Sequence, residues 1–425
     1  MFGRGKPEVL VVGAGPVGLT TALALARGGV AVRVVDAAWR PAAQSYSLAL
    51  HPASLALLDG LGLGGRIVDH AVHVRRIGFF DRAGRRVTLP LHGLNEDFSF
   101  VAVLPQARLE RLLEEALREQ GVEVQWNHRA AEFEQDGETV RVRVDRLVKE
   151  SVGYSVAHTE WVVAGSRHLE VPFVVGADGH RSLVRRALGI DFAEVGTPQH
   201  FAVFEFKTDA DLDHELAVVF NEHDTDVLWP LPDGWCRWSF ELLGTEIPAE
   251  ARDKSRLAVT VGADRYPVLE PGRLGELLAA RVPWFEGSID EIRWRVAVRF
   301  ERRLASAFGR GRVWLAGDAA HLHHPVGAQS MNVGLREGQE LAGILADVLR
   351  RGAPLESLER SGYRRAVEWR RLFELDGGLA PGAGADPWLA GHAGRVLSAL
   401  PASGADLEAL IGRLGFAPPS PLPVE

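Results

Sequence analysis

Residues 8–36 constrain the fold more than any other stretch of the chain. Glu8-Val9-Leu10-Val11-Val12 is a β-branched run too short for a helix, so it reads as a buried parallel strand. Gly13-Ala14-Gly15-Pro16-Val17-Gly18 follows at once. Leu19 to Arg27 then sets Leu19, Ala22, Leu23 and Ala26 at helical spacing and ends at Gly28-Gly29, a natural C-cap. Val30 to Val35 reads as a second strand, closed by Asp36. In such a unit the first glycine permits the tight turn, the second lets a pyrophosphate approach the backbone, and the third lets helix and strand pack closely. The helix N-terminus offers free N–H groups to phosphate oxygens, and Asp36, 23 residues beyond Gly13, stands where a carboxylate meets ribose hydroxyls. The unit predicts an α/β fold with a dinucleotide site, without separating NAD from FAD.

Two later segments repeat the strand-to-turn pattern. Val171 to Gly176 runs into Ala177-Asp178-Gly179-His180-Arg181-Ser182, followed by a short helix over Leu183 to Leu188. Arg312 to Ala316 runs into Gly317-Asp318-Ala319-Ala320-His321, and beyond His324-Pro325 the stretch Gly327-Ala328-Gln329-Ser330-Met331-Asn332 opens a long helix, Val333 to Leu349. An ionised Asp on a tight glycine turn accepts two hydrogen bonds and suits ribityl or ribose hydroxyls. Taken singly, Asp178 and Asp318 read equally as turn or N-cap residues. Behind a dinucleotide unit, the pair points to a cofactor.

Composition narrows the class further. The 425 residues allow two or three domains at ~150 residues each. One cysteine, Cys236, excludes a disulfide framework and a multi-cysteine metal site. The balance of 48 basic against 56 acidic residues, −8 overall, argues against a nucleic-acid partner. No run approaches the ~18 unbroken apolar residues of a transmembrane segment, so a cytoplasmic protein is expected.

The motifs in this order resemble the FAD-dependent monooxygenases of the p-hydroxybenzoate hydroxylase type, including aromatic polyketide and ubiquinone-pathway hydroxylases. Gly13, Gly15, Pro16, Val17, Gly18 and Asp36 match that family's ADP-binding fingerprint, and the Asp178 turn resembles its motif linked to FAD and NAD(P)H. Gly317 and Asp318 with Pro325 resemble its ribityl-binding motif, and Gln106 with Arg108 its FAD-contacting helix start. Gly327, Ala328, Ser330, Met331 and Asn332 stand at the helix start that the resemblance places beside the flavin ring. Departures are Tyr46 where many relatives carry arginine, Gly327-Ala328-Gln329-Ser330 in place of Gly-Gly-Gln-Gly, and Arg336-Glu337-Gly338-Gln339-Glu340 in place of Asp-Ala-x-Asn.

The resemblance implies a Rossmann-like FAD-binding domain with a parallel sheet, residues 1–72, 101–186 and 296–350. An inserted antiparallel-sheet substrate domain, 73–100 and 187–295, and C-terminal helices with a tail, 351–425, complete the expectation. Strands over Phe201 to Lys207, Leu216 to Asn221, Val227 to Leu231 and Cys236 to Leu242 fit the insert. Trp229, Trp235, Trp238 and Phe240 fall on it as stacking candidates or core, with Phe220 and Trp229 chosen for the substrate pocket. His324, Pro325 and Tyr46 are the flavin-edge candidates, and no catalytic base is assigned. His321, His323 and His324 sit on a turn without a carboxylate at ligand spacing, so no metal is expected. Arg185-Arg186 and Arg302-Arg303 read as attractors of NADPH phosphate or as solvated faces. The implied activity is hydroxylation of an aromatic, polyketide or quinone-like small molecule by a monomer or homodimer, with FAD, transient NAD(P)H and O2, through a flavin C4a-hydroperoxide. The alternatives are another FAD-linked oxidoreductase on the same fold, an epoxidase or reductase, and a non-catalytic ligand-sequestering flavoprotein.

Overall fold

The computed structural model describes residues 6–39, 49–152, 158–212, 214–247, 258–260, 269–323 and 325–417. Strand β1 (Val9–Val12) is buried along its whole length, and α1 (Pro16–Arg27) starts on Pro16, whose fixed φ suits a first helical position. β2 (Val32–Val35) follows, then the hairpin of β3 (Arg76–Asp81) and β4 (Gly84–Pro90). α2 (Gln106–Glu119) lays Leu109, Leu112, Leu113, Ala116 and Leu117 inward, and β5 (Val124–Gln125) ends that stretch. Next come β6 (His128–Gln135), β7 (Val140–Val152), β8 (His158–Val171), β9 (Phe173–Gly176) and α3 (Leu183–Ala187).

The middle of the chain is extended: β10 (Phe192–Lys207), β11 (Glu215–Phe220), β12 (Thr225–Pro230), β13 (Trp235–Leu242), β14 (Ala258–Thr260) and β15 (Ile292–Ala305). β16 (Gly309–Arg310) and β17 (Val313–Leu315) precede α4 (Gln329–Arg351) and α5 (Glu356–Leu372), and α6 (Ala393–Ala399) belongs to a C-terminal group of short helices. α4 starts four residues before the Val333 expected from sequence, because Ala328 takes a left-handed conformation that turns the chain into the helix.

Among the described residues the first sheet runs β16-β17-β9-β1-β2-β5, with β17, β9, β1, β2 and β5 parallel. This order gathers the scattered motifs. Gly13, Ala177-Asp178, Gly317-Asp318 and Asp36 follow β1, β9, β17 and β2, four adjacent strands, so all lie at the carboxyl edge where α/β sheets bind ligands. α1 and α2 bury Leu19, Leu23 and Leu113 with Val9, Val11 and Phe173 on one face of this sheet.

The second sheet runs β14-β15-β10-β13-β12-β11-β3-β4 and is antiparallel except for the β3–β11 pair. Side chains alternate faces. Ala202, Phe204, Phe206, Cys236, Trp238 and Phe240 pack into a core with Leu274 and Leu277 on the far face. Trp238 and Phe240, candidates for stacking on a substrate, therefore stack on each other away from the site, 5.3 Å between ring centres. β15 runs through the expected domain boundary at 295. A three-stranded sheet, β8-β7-β6, has no counterpart in the sequence reading. No described helix is long and apolar enough to cross a membrane.

Candidate functional site

Each glycine after β1 is required for a different reason. An alanine Cβ at Gly13, where φ is +106°, would sit 2.2 Å from the Ala177 carbonyl oxygen; at Gly18 it would sit 2.0 Å from the Gly13 carbonyl oxygen. These two let the turn pack against β9 and α1 pack on the turn. At Gly15 a Cβ would meet nothing within 4 Å. The space above Gly15 is a cradle beside the first amides of α1, which have no side-chain cap. Asp36 shapes this turn: Oδ2 accepts from the Ala14 N–H at 2.7 Å and Oδ1 from the Ala38 N–H at 2.7 Å.

The Asp178 turn is built differently from the Asp318 turn. Asp178 Oδ2 accepts from the Leu183 N–H (2.7 Å) and the Val184 N–H (3.2 Å), which caps α3. Burial pushes its carboxyl up, opposed by hydrogen bonds from Ser182 and these amides. The Asp178 carboxylate is off the cavity wall; Gly179, His180 and Arg181 line it instead. Burial holds His180 below its ordinary range despite the nearby Asp318 charge. Arg185 is buried, donates to the Ala319 carbonyl at 2.7 Å and the His180 carbonyl at 2.9 Å, and lies over the Phe192 ring. It ties the two turns together rather than facing solvent. Arg302 donates to the Phe373 carbonyl and Arg303 to that of Phe192, so both act in packing.

Asp318 lines the cavity and accepts from the Ser330 hydroxyl at 2.9 Å, at the start of α4. Pro325, Ala328, Ser330, Met331 and Gln106 also line it, and α4 has no side-chain cap. Gly317, Gly327 and Asn332 do not reach the wall. Gly317, with φ +64°, fits under Val17, whose Cγ2 would lie 2.9 Å from a Cβ there. Gly327 is packed beneath the Ser398 and Leu400 carbonyls, 2.6 and 2.7 Å from where a Cβ would be. Asn332 is fully buried and spends its amide inside the fold: Nδ2 donates to the Ala49 and Ala328 carbonyls, and Oδ1 accepts from the His51 N–H. Tyr46 and His324 lie outside the described residues.

The roof of the cavity is the near face of the second sheet. Cross-strand register places Trp229, Arg237, Glu205 and Trp294 in one row over β12, β13, β10 and β15. The next row holds Val227, Ser239, Val203 and Val296. Arg237 Nε donates to Glu205 Oε1 at 2.7 Å, Arg293 Nε donates to Glu205 Oε2 at 2.9 Å, and the Arg237 guanidinium lies over Trp294. Arg237 lies on the cavity wall, as do Arg299 and Glu301, which pair with each other; Arg293 is exposed and off the wall.

Of the two residues chosen for the substrate pocket, Trp229 lines the cavity and Phe220 does not. Phe220 turns toward the C-terminal segment, stacked on His392 at 5.4 Å and beneath Arg395. The sequence reading missed that segment as a neighbour because nothing local to Phe220 signals it. Gln329 is held the same way, its Nε2 donating to the Leu397 and Leu400 carbonyls.

These surfaces enclose one cavity of about 630 Å³, running from Gly15, Pro16 and Val17 past Asp318 and Met331 to Trp229, Arg237 and Ser239. That volume is in the range of small-molecule and cofactor sites. Among the described residues, no group of three or more His, Cys, Asp or Glu side chains is arranged to hold a metal. The residues on the wall could hold FAD: the Gly15 cradle its pyrophosphate, Asp318 its ribityl chain and the uncapped α4 start its ring, whereas Asp36, expected at the ribose, is off the wall with both oxygens on backbone N–H groups.

Comparison with known proteins gives the same cofactor. The chain is 34% identical to 6-methylpretetramide 4-monooxygenase of Streptomyces rimosus over 86% of its length and 60% of that protein's. It is 26% identical to pentachlorophenol 4-monooxygenase of Sphingobium chlorophenolicum, covering 86% of this chain and 63% of the other. The chain thus spans about 60% of the length of these relatives. In fold it is similar to p-nitrophenol 4-monooxygenase from Pseudomonas putida, with a TM-score of 0.67 at 22% identity over 96% of both chains. It is also similar to an aromatic hydroxylase from angucycline biosynthesis, with a TM-score of 0.64 at 25% identity over 97% of this chain and 72% of the other. The family described as FAD binding domain matches residues 6–372, which hold both sheets, α4 and α5, and the chain belongs to that family.

Proposed function

We propose that this chain is a monooxygenase that hydroxylates an aromatic, polyketide or quinone-like small molecule, with FAD as cofactor, NAD(P)H as electron donor and O2 as oxidant. The observation that carries the reading is the single cavity joining the Gly15 cradle and Asp318 to an aromatic roof that carries Arg237. A nucleotide-binding module alone has no use for that roof. Its relatives' names, tetracycline-type and chlorophenol monooxygenases, lie in the same class.

What FAD supplies when bound is redox chemistry: acceptance of a hydride from NAD(P)H and activation of O2, one oxygen atom passing to the substrate and the other leaving as water. The chain's own groups place and shield that chemistry. The uncapped amides opening α4 would stabilise negative charge on a flavin ring bound beside them. Val203, Val227 and Val298 exclude water from the roof side, and Trp229 and Trp294 offer flat surfaces to an aromatic ring. Arg237 favours a substrate oxygen in its ionised form, and a phenolate is more electron-rich than a phenol toward electrophilic oxygen.

The test is product analysis under 18O2. FAD-loaded protein is supplied with NADH or NADPH and a panel of phenols, naphthols and hydroxylated anthraquinones. One 18O per product with substrate-dependent NAD(P)H consumption is expected. Binding of panel members without any oxygenated product would favour a sequestering flavoprotein, and oxygenation of alkenes alone an epoxidase.

A further inference from the structure

We infer that Glu337 is a positioning residue for the cofactor, holding the Asp318 turn in the shape that FAD binding requires, with His321 and Trp369 as its partners. The inference rests on the FAD reading of the site. Glu337 lies in α4, is 4% exposed and is absent from the cavity wall. Its Oε2 accepts from the Gly317 N–H at 3.0 Å and meets His321 Nε2 at 2.8 Å, while Oε1 accepts from the Trp369 indole N–H at 2.8 Å. His321 is fully buried and stacked on Trp369, 3.8 Å between ring centres.

The residue next to Gly317 is Asp318, whose carboxylate faces the cavity. On the other side, Ala319 is held through its carbonyl by Arg185. The turn is gripped immediately before and after Asp318. Gly317 lies between Val17 of α1 and Gly334 of α4, where a Cβ on Gly334 would come within 2.9 Å of the Gly317 Cα. A shift of the turn would therefore move Asp318 and disturb the start of α1 together.

Hydrogen-bond chemistry explains why a carboxylate stands here. Three nitrogens converge on the two oxygens, two of them fixed donors, and an ionised carboxylate accepts on every side and donates on none. Burial by itself would push the Glu337 carboxyl up, but His321 and the hydrogen bonds from Trp369 and Gly317 outweigh it and hold it below its ordinary value. A glutamine cannot replace it cleanly, because its amide must point an N–H at either Gly317 or Trp369.

That constraint supplies a test with a rescue. FAD affinity is measured by quenching of flavin fluorescence on the flavin-free full chain, with far-UV circular dichroism and a melting curve for each variant. Glu337→Gln is expected to weaken FAD binding by about 10- to 100-fold. Trp369→Phe alone lowers the melting temperature and leaves FAD affinity close to that of the unaltered chain, since Gly317 stays held. The double variant Glu337→Gln/Trp369→Phe recovers most of the affinity lost in Glu337→Gln, because the amide N–H no longer faces a donor. A merely structural role gives no such recovery. Wild-type affinity in Glu337→Gln, or a double variant that binds no tighter than Glu337→Gln, overturns the inference. Should Glu337→Gln not fold, Glu337→Asp carries the test by withdrawing the charge one methylene from Gly317: weaker FAD binding on a folded chain supports the inference, and unchanged binding overturns it. Failure of the unaltered chain to bind FAD would instead overturn the cofactor assignment.

Discussion

Gly15 and Gly18 stand three residues apart in one motif, yet the structure gives their substitution by alanine opposite consequences. Gly15 has extended backbone, φ −75° and ψ 179°, that any residue adopts, and its new Cβ would meet no protein atom within 4 Å. Gly15→Ala should change the stability of the flavin-free chain by less than about 1 kcal/mol, the usual spread between Gly and Ala at an N-cap. The same Cβ stands where the pyrophosphate approaches the α1 amides. Losing one charge-assisted hydrogen bond, roughly 1.5–3 kcal/mol, weakens FAD binding roughly 10- to 150-fold. Gly18→Ala sets a Cβ 2.0 Å from the Gly13 carbonyl oxygen, backbone that cannot swing aside. Overpacking of this kind costs about 1–3 kcal/mol or more, so the flavin-free chain itself should melt several degrees lower. Melting of the flavin-free variants and FAD titration of each separate the two effects. Equal melting losses in both variants, or native FAD affinity in Gly15→Ala, would exclude this division of roles between the two glycines.

Three further outcomes follow from the same geometry. Arg237→Met should raise the KM of an acidic phenol about tenfold or more while leaving FAD affinity unchanged, since Glu205 keeps Arg293 as a partner; an equal loss with a neutral analogue would contradict an anion-favouring role. Trp229→Leu should raise KM, whereas Phe220→Leu should lower the melting temperature with KM unchanged, because Phe220 packs on His392 outside the cavity; steady-state kinetics on both would show otherwise if the roof were misassigned. Burial holds the His51 imidazole at about 3 against an ordinary 6.5, so the folded chain keeps it neutral while the unfolded chain takes up a proton below about 6.5. The stability tied to His51 is complete above pH 6.5 and falls as pH drops toward 3, by up to about 1.4 kcal/mol per pH unit. His51→Gln, which can still donate to the Gly327 carbonyl, should flatten that acid limb in denaturant titrations, and identical limbs would exclude His51 as its source.

The turns that shape the candidate cofactor site were legible because their residues answer to local rules. A tight turn demands Gly13, a close approach demands Gly18, and Asp318 sits on a glycine turn, so each announces itself within a few residues. The strands of the roof were legible for the same reason, from alternation and from the Pro232-Asp233-Gly234 turn. What stayed hidden depends on pairing across long sequence distances. Phe220 and Trp229 look alike in sequence and share one face of the sheet by the β11–β12 register; only the C-terminal segment packed on Phe220 separates them. Arg185 reads as a surface arginine until Phe192 and the Ala319 carbonyl close over it. Glu337 lies 20 residues from Gly317 in a stretch whose only visible signal was its departure from the family's usual Asp-Ala-x-Asn. The start of α4 was misplaced because a left-handed alanine, Ala328, gives no compositional sign.

Anaerobic stopped-flow reduction of the FAD-loaded chain by NADPH, with and without a hydroxylated aromatic ligand, tests most directly the claim that one cavity joins the cofactor site to the substrate roof. Flavin absorbance is expected to bleach, faster when a ligand that fits beneath Trp229 and Arg237 is present. A chain that takes up no FAD would contradict the site, and a bleaching rate indifferent to every ligand that binds would contradict the union of cofactor and roof in one cavity.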